Sequence, residues 1–488
     1  MTSLRDPLAP TRNARRPLIE TSPVRHPDVT SESTMTKRGW WLIALNVLLP
    51  GSAQVLAGNR RLGRFGLGAT LSLWALLLIT GALAVFARPV LLWLAIGGGW
   101  VSWLVLTVAQ IVLIGYAVLW VVLTFDTIRL IRLVKVAPAA RVAMPLVAIL
   151  IVALLGGGAA YAANVVGTGR GAISTVFQQS GPSLPPVDGY YNILLLGADS
   201  GEGRDSMRYD SISVVSINAE TGATTVTGIP RDMPNFPFAP GPMQDLYPEG
   251  HESYDDDECG WGSGVNQLRT EVEICRNDYN GEGLYADAQS LGSDPGIEAT
   301  KDAAEGILGI EIPYYVFIDM HGFAALIDSL GGVQISVAER LPMGGGPSYD
   351  GEPADEWAIG WIEPGDQRMN GDTAQWYARS RYTTSDFDRM LRQRQLQAAI
   401  LAQFTPQNVL TRFNEVAAAG TALVATDLPQ DKLPEFFDLL LKARELPMQS
   451  IELTPEGGVD EFEPDYAFIQ QLVQDRLHPP TPASETED

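Results

Sequence analysis

The chain has 488 residues, is 46% hydrophobic and carries a formal net charge of −23, too long for one ordinary domain. Its first 165 residues hold 15 Lys and Arg against 5 Asp and Glu, and the remainder holds 19 against 52. That acidic remainder excludes bulk nucleic-acid binding, which rests on neutralising phosphates with Lys and Arg, so any phosphate-handling site in it must be a local exception.

Residues 1–39 are polar, rich in Pro, Arg, Ser and Thr, and lack an apolar period, which predicts a disordered cytoplasmic tail. Apolar runs follow at 40–57, 65–87, 90–125 and 143–165, against the roughly 20 residues that a bilayer-spanning helix needs. Basic residues mark cytoplasmic segments, and three segments carry them: the tail (Arg15, Arg16, Lys37, Arg38), Arg60 to Arg64, and Arg129 to Arg141. With all three inside, the first run is re-entrant or interfacial and three helices cross; a five-helix arrangement, in which the first run also crosses and the third is split, puts Arg60 to Arg64 outside, and a four-helix one, which would put both basic loops outside, ranks last. The two favoured counts are odd, so the membrane region 40–166 delivers everything after it to the outside. Residues 167–189, with Pro182, Pro185 and Pro186, read as a linker.

The soluble domain is expected over 190–477, with a short tail at 478–488. Tyr191 to Gly197 reads as a buried strand, with Asp199 at its carboxyl end, where open α/β sheets bind ligands. The loop Gly201 to Asp210 brings Arg204, Arg208 and Asp210. Strands at Ser211 to Ile217 and Thr224 to Ile229 follow, the latter ending in Pro230, Arg231 and Asp232. Asp199 and Asp210 suit a hard divalent cation, Mg²⁺ or Mn²⁺, that bridges phosphate oxygens. The only cysteines, Cys259 and Cys275, can pair if the domain lies outside the cytoplasm, which would contribute about 3 kcal/mol; two unpaired thiols are the alternative. The nearby acidic stretch His251 to Glu258 reads as a solvated loop.

Five arginines, 379, 381, 389, 392 and 394, lie close together. Asp386 to Gln403 predicts a helix capped by Asp386, with Arg389 and Gln393 on one face and Arg392 adjacent. Arg379 and Arg381 alternate along the strand-like Trp376 to Arg381, so both point the same way. Repeated Arg favours forked recognition of phosphate oxygens, whereas pairing with surplus carboxylates is the purely structural reading. Neither a nucleophilic Cys nor a Ser–His pairing stands out, which fits direct transfer to an acceptor hydroxyl, with arginines offsetting charge in phosphoryl transfer.

These motifs in order resemble the LytR-CpsA-Psr family: Asn192 to Gly197 with Asp199, Arg208-Tyr209-Asp210, Pro230-Arg231-Asp232, Gly331-Gly332-Val333 after an Asp319 to Leu330 helix, Pro364-Gly365, Asn370-Gly371, and the series Arg379, Arg381, Asp386, Arg389, Gln393. The resemblance implies an extracytoplasmic α/β/α sandwich with an apolar pocket for a polyprenyl chain. It implies Mg²⁺-assisted transfer of a glycopolymer from a polyprenyl (pyro)phosphate carrier to a peptidoglycan acceptor, forming a phosphodiester. Asp199 and Asp210 would bind metal; Arg208, Arg231, Arg379, Arg381, Arg389 and Gln393 would hold the diphosphate; Asp386 would orient arginines or assist proton transfer. Arg204 and Arg392 are added as substrate contacts by proximity. The extra membrane runs depart from the family's single helix. A polyprenyl-pyrophosphate phosphatase and a membrane-anchored envelope regulator are the alternative functions.

Overall fold

A computed structural model describes residues 24–177, 181–198, 208–251, 255–256, 261–262, 264–281, 283–344, 346–349, 351–380, 382–403 and 424–479. The chain divides into two compact units, one of residues 1–91 and 106–167, the other of 92–105 and 168–488.

Among the described residues three helices are long and apolar enough to cross a bilayer: Arg60–Phe86, Trp100–Lys135 and Pro138–Ile173. The 40–57 run forms two shorter helices, Glu32–Leu48 and Ser52–Ala57, separated by a turn in which Gly51 takes φ 98°. The second packs so tightly on Arg60–Phe86 that a Cβ at Gly63 would press on the Val55 backbone nitrogen, the close approach that small residues permit between apolar helices. Two buried amide groups in this unit donate across the helices: Asn46 Nδ2 to Thr124 Oγ1 at 3.0 Å and Gln54 Nε2 to the Leu123 carbonyl at 2.8 Å. The expected tail is shorter than its composition suggests. Ser31 caps the first helix by accepting from the Thr34 amide, and the buried Arg38 donates to the Val24 and Leu130 carbonyls at 2.8 and 2.9 Å. The 90–125 run is also interrupted, because the chain turns between the short helix ending at Gly97 and the helix starting at Trp100. There the Ser102 hydroxyl accepts from the Gly98 amide and donates to the Trp93 carbonyl.

The second unit is built on a mixed six-stranded sheet. Its order is Val424–Thr426, Tyr314–Asp319, Tyr190–Ala198, Tyr209–Asn218, Thr224–Gly228, Gln449–Glu452. The central strand Tyr190–Ala198 runs antiparallel to Tyr209–Asn218 and parallel to Tyr314–Asp319. Alternation along it sends Leu194 and Leu196 to one face, where they are buried with Ile307 and Ile469 of the helices Pro295–Leu308 and Tyr466–Leu477. Tyr191 and Ile193 face the other way, against Leu439 and Phe436 of Leu433–Ala443. A further core joins the helices Met320–Ser329, Gly371–Arg379 and Asp386–Gln403 to the strand pair Val333–Val337 and Gly365–Met369. Helices on both faces of the sheet make the expected α/β/α sandwich.

The 167–189 segment is not a loose linker. The helix from Pro138 continues to Val176, and the chain beyond is tied down by Gly181 N–H to the Asp427 carbonyl and Leu184 N–H to the Tyr314 hydroxyl, both at 2.8 Å. Between the third strand and Pro295, His251, Tyr247 and Arg276 converge on the buried Glu271 carboxylate at 3.0, 2.6 and 3.1 Å. Cys275, beside this cluster, is buried and disulfide-bonded; the chain's other cysteine, Cys259, lies outside the described residues.

On the helix Pro295–Leu308, burial pushes the Asp302 carboxyl up to about 7, with Glu305 and Glu298 adding to the shift and the Tyr285 hydroxyl opposing it. A carboxyl raised on folding contributes stability that is complete below its unfolded pKa and is lost as pH rises through its folded one. Thermal unfolding of the detergent-solubilised chain should therefore show stability falling by about 1–2 kcal/mol from pH 5 to pH 8, after allowance for partial solvent access. Asp302→Asn should flatten most of that slope, and an unchanged slope would reject the assignment.

Candidate functional site

Sheet topology gathers strand ends at one edge. Ala198 pairs with Tyr209 on one side and Asp319 on the other. The Ile229 amide continues the neighbouring ladder to the Ile212 carbonyl, so the residues just beyond it arrive beside the start of the second strand. Arg231 there reaches Asp210, Nη1 to Oδ1, at 3.4 Å. A strand-end Asp and a strand-end Arg therefore meet here.

The facing wall comes from two helices. Asn370 caps Gly371–Arg379 by accepting from the Thr373 amide at 2.9 Å, and Gly371 is required because a Cβ would overlap the Ala324 carbonyl. Trp376 to Arg379 is thus helical and not the expected strand. Ala374, Tyr377 and Ala378, spaced three and four apart, bury one helical face, and Arg379 ends the helix with its guanidinium 5.4 Å from the Trp376 ring. On Asp386–Gln403, which has the predicted bounds, Arg389 is only 5% exposed. Gln393 ties helix to sheet: its Oε1 accepts from Ser211 Oγ at 3.0 Å and its Nε2 donates to the Ala378 carbonyl at 3.4 Å.

Asp210, Arg231, Arg379, Arg389 and Gln393 line one cavity of about 160 Å³. Its other wall, Pro342, Gly344, Trp376, Ser380 and Tyr382, was not anticipated from the sequence as part of a site. Pro342 and Gly344 come from a Gly-rich loop far away in the chain, whereas Trp376, Ser380 and Tyr382 come from the same helix and turn that carry Arg379; none of the five is charged. A second cavity of about 240 Å³ shares Asp210, Ala378 and Gln393 with the first, and is otherwise lined mainly by apolar groups such as Leu195, Ile318, Phe323, Leu396 and Ile400. A third of about 450 Å³ shares Leu195 and Gln397 with the second and continues under Leu433, Phe436 and Phe437. A charged chamber therefore adjoins an apolar tract.

The other candidates fall differently. Arg392 does not line the charged cavity. Its buried guanidinium donates from Nε to the Tyr377 carbonyl at 3.1 Å, and from Nη2 to the Ser380 carbonyl and the Thr384 hydroxyl. That guanidinium holds the wall together, which corrects the expectation of a substrate contact. Burial lowers its pKa. Arg394, also buried, pairs with Glu452 at 3.5 Å and donates to Gln397 Oε1 at 2.6 Å. Arg208 is exposed beside the second strand and lines none of the three cavities. Asp199, Arg204 and Arg381 lie outside the described residues, as does the side chain of Asp386, whose backbone opens its helix. Among the described residues no three His, Cys, Asp or Glu side chains converge as metal ligands; Asp210 is the carboxylate available at the cavity.

An α/β/α domain of this topology, with a charged chamber beside an apolar tract and an N-terminal set of membrane-length helices, defines the class of protein. A sequence model of the LytR_cpsA_psr family matches residues 165–234 and 276–477, more than half of the chain, and the chain belongs to that family. The unmatched 235–275 holds most of the Glu271 cluster. Among curated relatives, a polyisoprenyl-teichoic acid–peptidoglycan teichoic acid transferase TagU of Halalkalibacterium halodurans is 27% identical over 55% of this chain and 70% of its own length. Biofilm regulatory protein A of Streptococcus mutans is 24% identical over 61% of this chain and 67% of its own. Among solved structures, B. subtilis TagV aligns at 20% identity over 60% of this chain and 98% of its own, with a TM-score of 0.38. YwtF (TagT) with bound octaprenyl pyrophosphate aligns at 18% over 61% and 96%, with a TM-score of 0.36.

If Arg392 holds the wall, Arg392→Ala leaves two buried carbonyls without their donor and should destabilise the domain by about 2–4 kcal/mol. Arg379→Ala, at the cavity surface, should shift the melting temperature much less. Thermal unfolding of both variants checks this, and equal shifts would reject it.

Proposed function

We propose that this chain transfers a glycopolymer from a polyprenyl (pyro)phosphate carrier to peptidoglycan at the outer face of the membrane. The observation that carries this reading is the continuity of the Arg-lined cavity with the apolar tract through Asp210, Ala378 and Gln393. An amphiphile with a diphosphate head and a hydrocarbon tail matches both environments at once, whereas a free nucleotide would leave the apolar tract empty. Naming of the Halalkalibacterium relative as a teichoic acid transferase supports the same reading.

In this mechanism Arg231, Arg379 and Arg389 grip the diphosphate oxygens. An acceptor hydroxyl attacks the phosphorus bearing the glycan, the bond to the bridging oxygen breaks, and polyprenyl phosphate leaves. The arginines offset the charge that accumulates on the phosphoryl oxygens and the leaving group. Asp210, with Asp199, would hold Mg²⁺ or Mn²⁺; the donor set fits an ion that takes one or two carboxylates and completes its shell with phosphate oxygens and water. Such an ion would neutralise phosphate charge when bound. Asp386 is the candidate to orient the arginines or to assist proton transfer. An odd number of spans with basic segments inside supports an outer location for the domain, and the Cys275 disulfide suits that compartment.

The full chain in nanodiscs, given a lipid-linked glycopolymer and peptidoglycan fragments, should yield a phosphodiester-linked product. Arg231→Ala and Arg379→Ala should each lower the rate by roughly a hundredfold while leaving the fold intact. Release of phosphate or free glycan without a linked product would favour the phosphatase. Turnover of neither kind would favour the regulator. Protease accessibility placing residues 190–488 inside the cell would overturn the topology.

A further inference from the structure

One wall of the charged cavity is aromatic and is not explained by phosphate chemistry. Trp376 and Tyr382 line it beside the arginines, and Tyr382 remains 46% exposed. The tyrosine is nonetheless held in place. Trp357 packs against it at a centroid distance of 4.8 Å and an interplanar angle of 64°. Gly346 takes φ 101° and lies where any Cβ would overlap the Tyr382 ring, so glycine there serves both the turn and the close approach. The supporting loop is anchored as well: Leu341–Met343 pairs with Gly360–Ile362, the Ile359 amide donates to the Met343 carbonyl at 2.9 Å, and Ser380 Oγ donates to the Pro342 carbonyl at 2.9 Å. A braced, half-exposed aromatic ring at the rim of an anion cavity is a platform for something flat, amphipathic and attached to the anion.

Resting on the diphosphate reading above, we propose that Tyr382 stacks on the pyranose ring bonded directly to the carrier diphosphate and so forms the donor-sugar subsite. A pyranose presents a face of C–H bonds and a rim of hydroxyls, the surface that an aromatic ring with a polar tip covers well. The donor sugar is chosen over an acceptor sugar because Tyr382 lines the same cavity as Arg231, Arg379 and Arg389, and the donor's first ring is the part of the substrate covalently joined to the phosphates held there. Trp376 has a different part, since its ring lies under the Arg379 guanidinium.

The test uses the full chain in nanodiscs and two probes, a farnesyl diphosphate and the same lipid diphosphate carrying N-acetylglucosamine. Tyr382→Ala should weaken binding of the glycosylated probe roughly tenfold and change the bare probe by less than about twofold. Tyr382→Phe keeps the ring and should bind both probes nearly as the parent does. Trp357→Ala, which removes the brace, should fall between the two on the glycosylated probe alone. Equal weakening of both probes by Tyr382→Ala, no weakening of either, or a loss seen only in the KM for peptidoglycan would overturn the platform while leaving the diphosphate reading intact. Failure of the parent chain to bind either probe would remove the diphosphate reading and the platform with it.

Discussion

The charged cavity depends on a cation that does not enter it. Arg392 is buried, and a buried guanidinium is tolerable only where its donors are met by acceptors in good geometry. Here they are carbonyls at the end of one helix and in the turn beyond it, Tyr377 and Ser380, together with the Thr384 hydroxyl. The Tyr377 ring adds a cation–π contact at 5.9 Å. Because Arg392 itself sits on Asp386–Gln403, this one side chain locks that helix to the end of Gly371–Arg379. Arg389 and Gln393 face the cavity from the first helix, Arg379 from the second, and Ser380 and Tyr382 from the turn. The arginine cluster thus contains two kinds of residue: some that shape the wall and some that the wall presents.

A second constraint is the abrupt change of environment at Gln393. Its amide is committed on both sides, to Ser211 and to the Ala378 carbonyl, so it can stand between a charged chamber and an apolar one without leaving a polar group unmatched. The next polar group along the tract, Gln397, is likewise held by Arg394, itself paired with Glu452. Polar residues that border apolar cavities are here immobilised by buried partners. Gly228 shows how little slack there is, because a Cβ there would press on both Arg394 and Glu452.

Much of this was legible in the sequence where local pattern and tertiary role agree. The strand that ends at Gly197, the two strands after it and the helix Asp386–Gln403 follow from apolar runs, turn residues and an amphipathic stripe. Trp376 to Arg379 looks strand-like because aromatic residues favour strands, whereas the Asn370 cap and the buried spacing of Ala374, Tyr377 and Ala378 decide for helix. The sequence placed Arg389 and Arg392 close together on one helix but did not distinguish ligand-facing from structural arginine, since that depends on carbonyls supplied by another element. Neither could it find the wall formed by Pro342, Gly344 and Tyr382, because glycine and aromatic residues in a loop have no periodic signature. In the membrane half the apolar lengths were readable, but the breaks at Gly51 and Gly97 to Gly99 depend on side-chain caps and close packing that hydropathy does not register.

The acidity of the α/β/α domain bears on how a substrate would reach the cavity. Of the carboxylates in the described residues, Asp210 is the one that lines the charged chamber. Charges more than about 8 Å away are largely screened at physiological salt, so among the described residues the local field there owes more to Arg231, Arg379 and Arg389, with Asp210 and Asp232 beside Arg231, than to the surplus over the rest of the surface. At longer range the surplus opposes approach of a free anion from solution, since a net field steers charged ligands only when its sign is favourable. A lipid-linked anion does not depend on that long-range attraction. Its tail partitions into apolar surroundings, and the tract leading from Phe436 and Leu195 to Gln393 offers such a path up to the arginines. Under the proposed function, hydrophobic delivery replaces electrostatic steering, so an acidic domain can hold a diphosphate without having to attract one from solution.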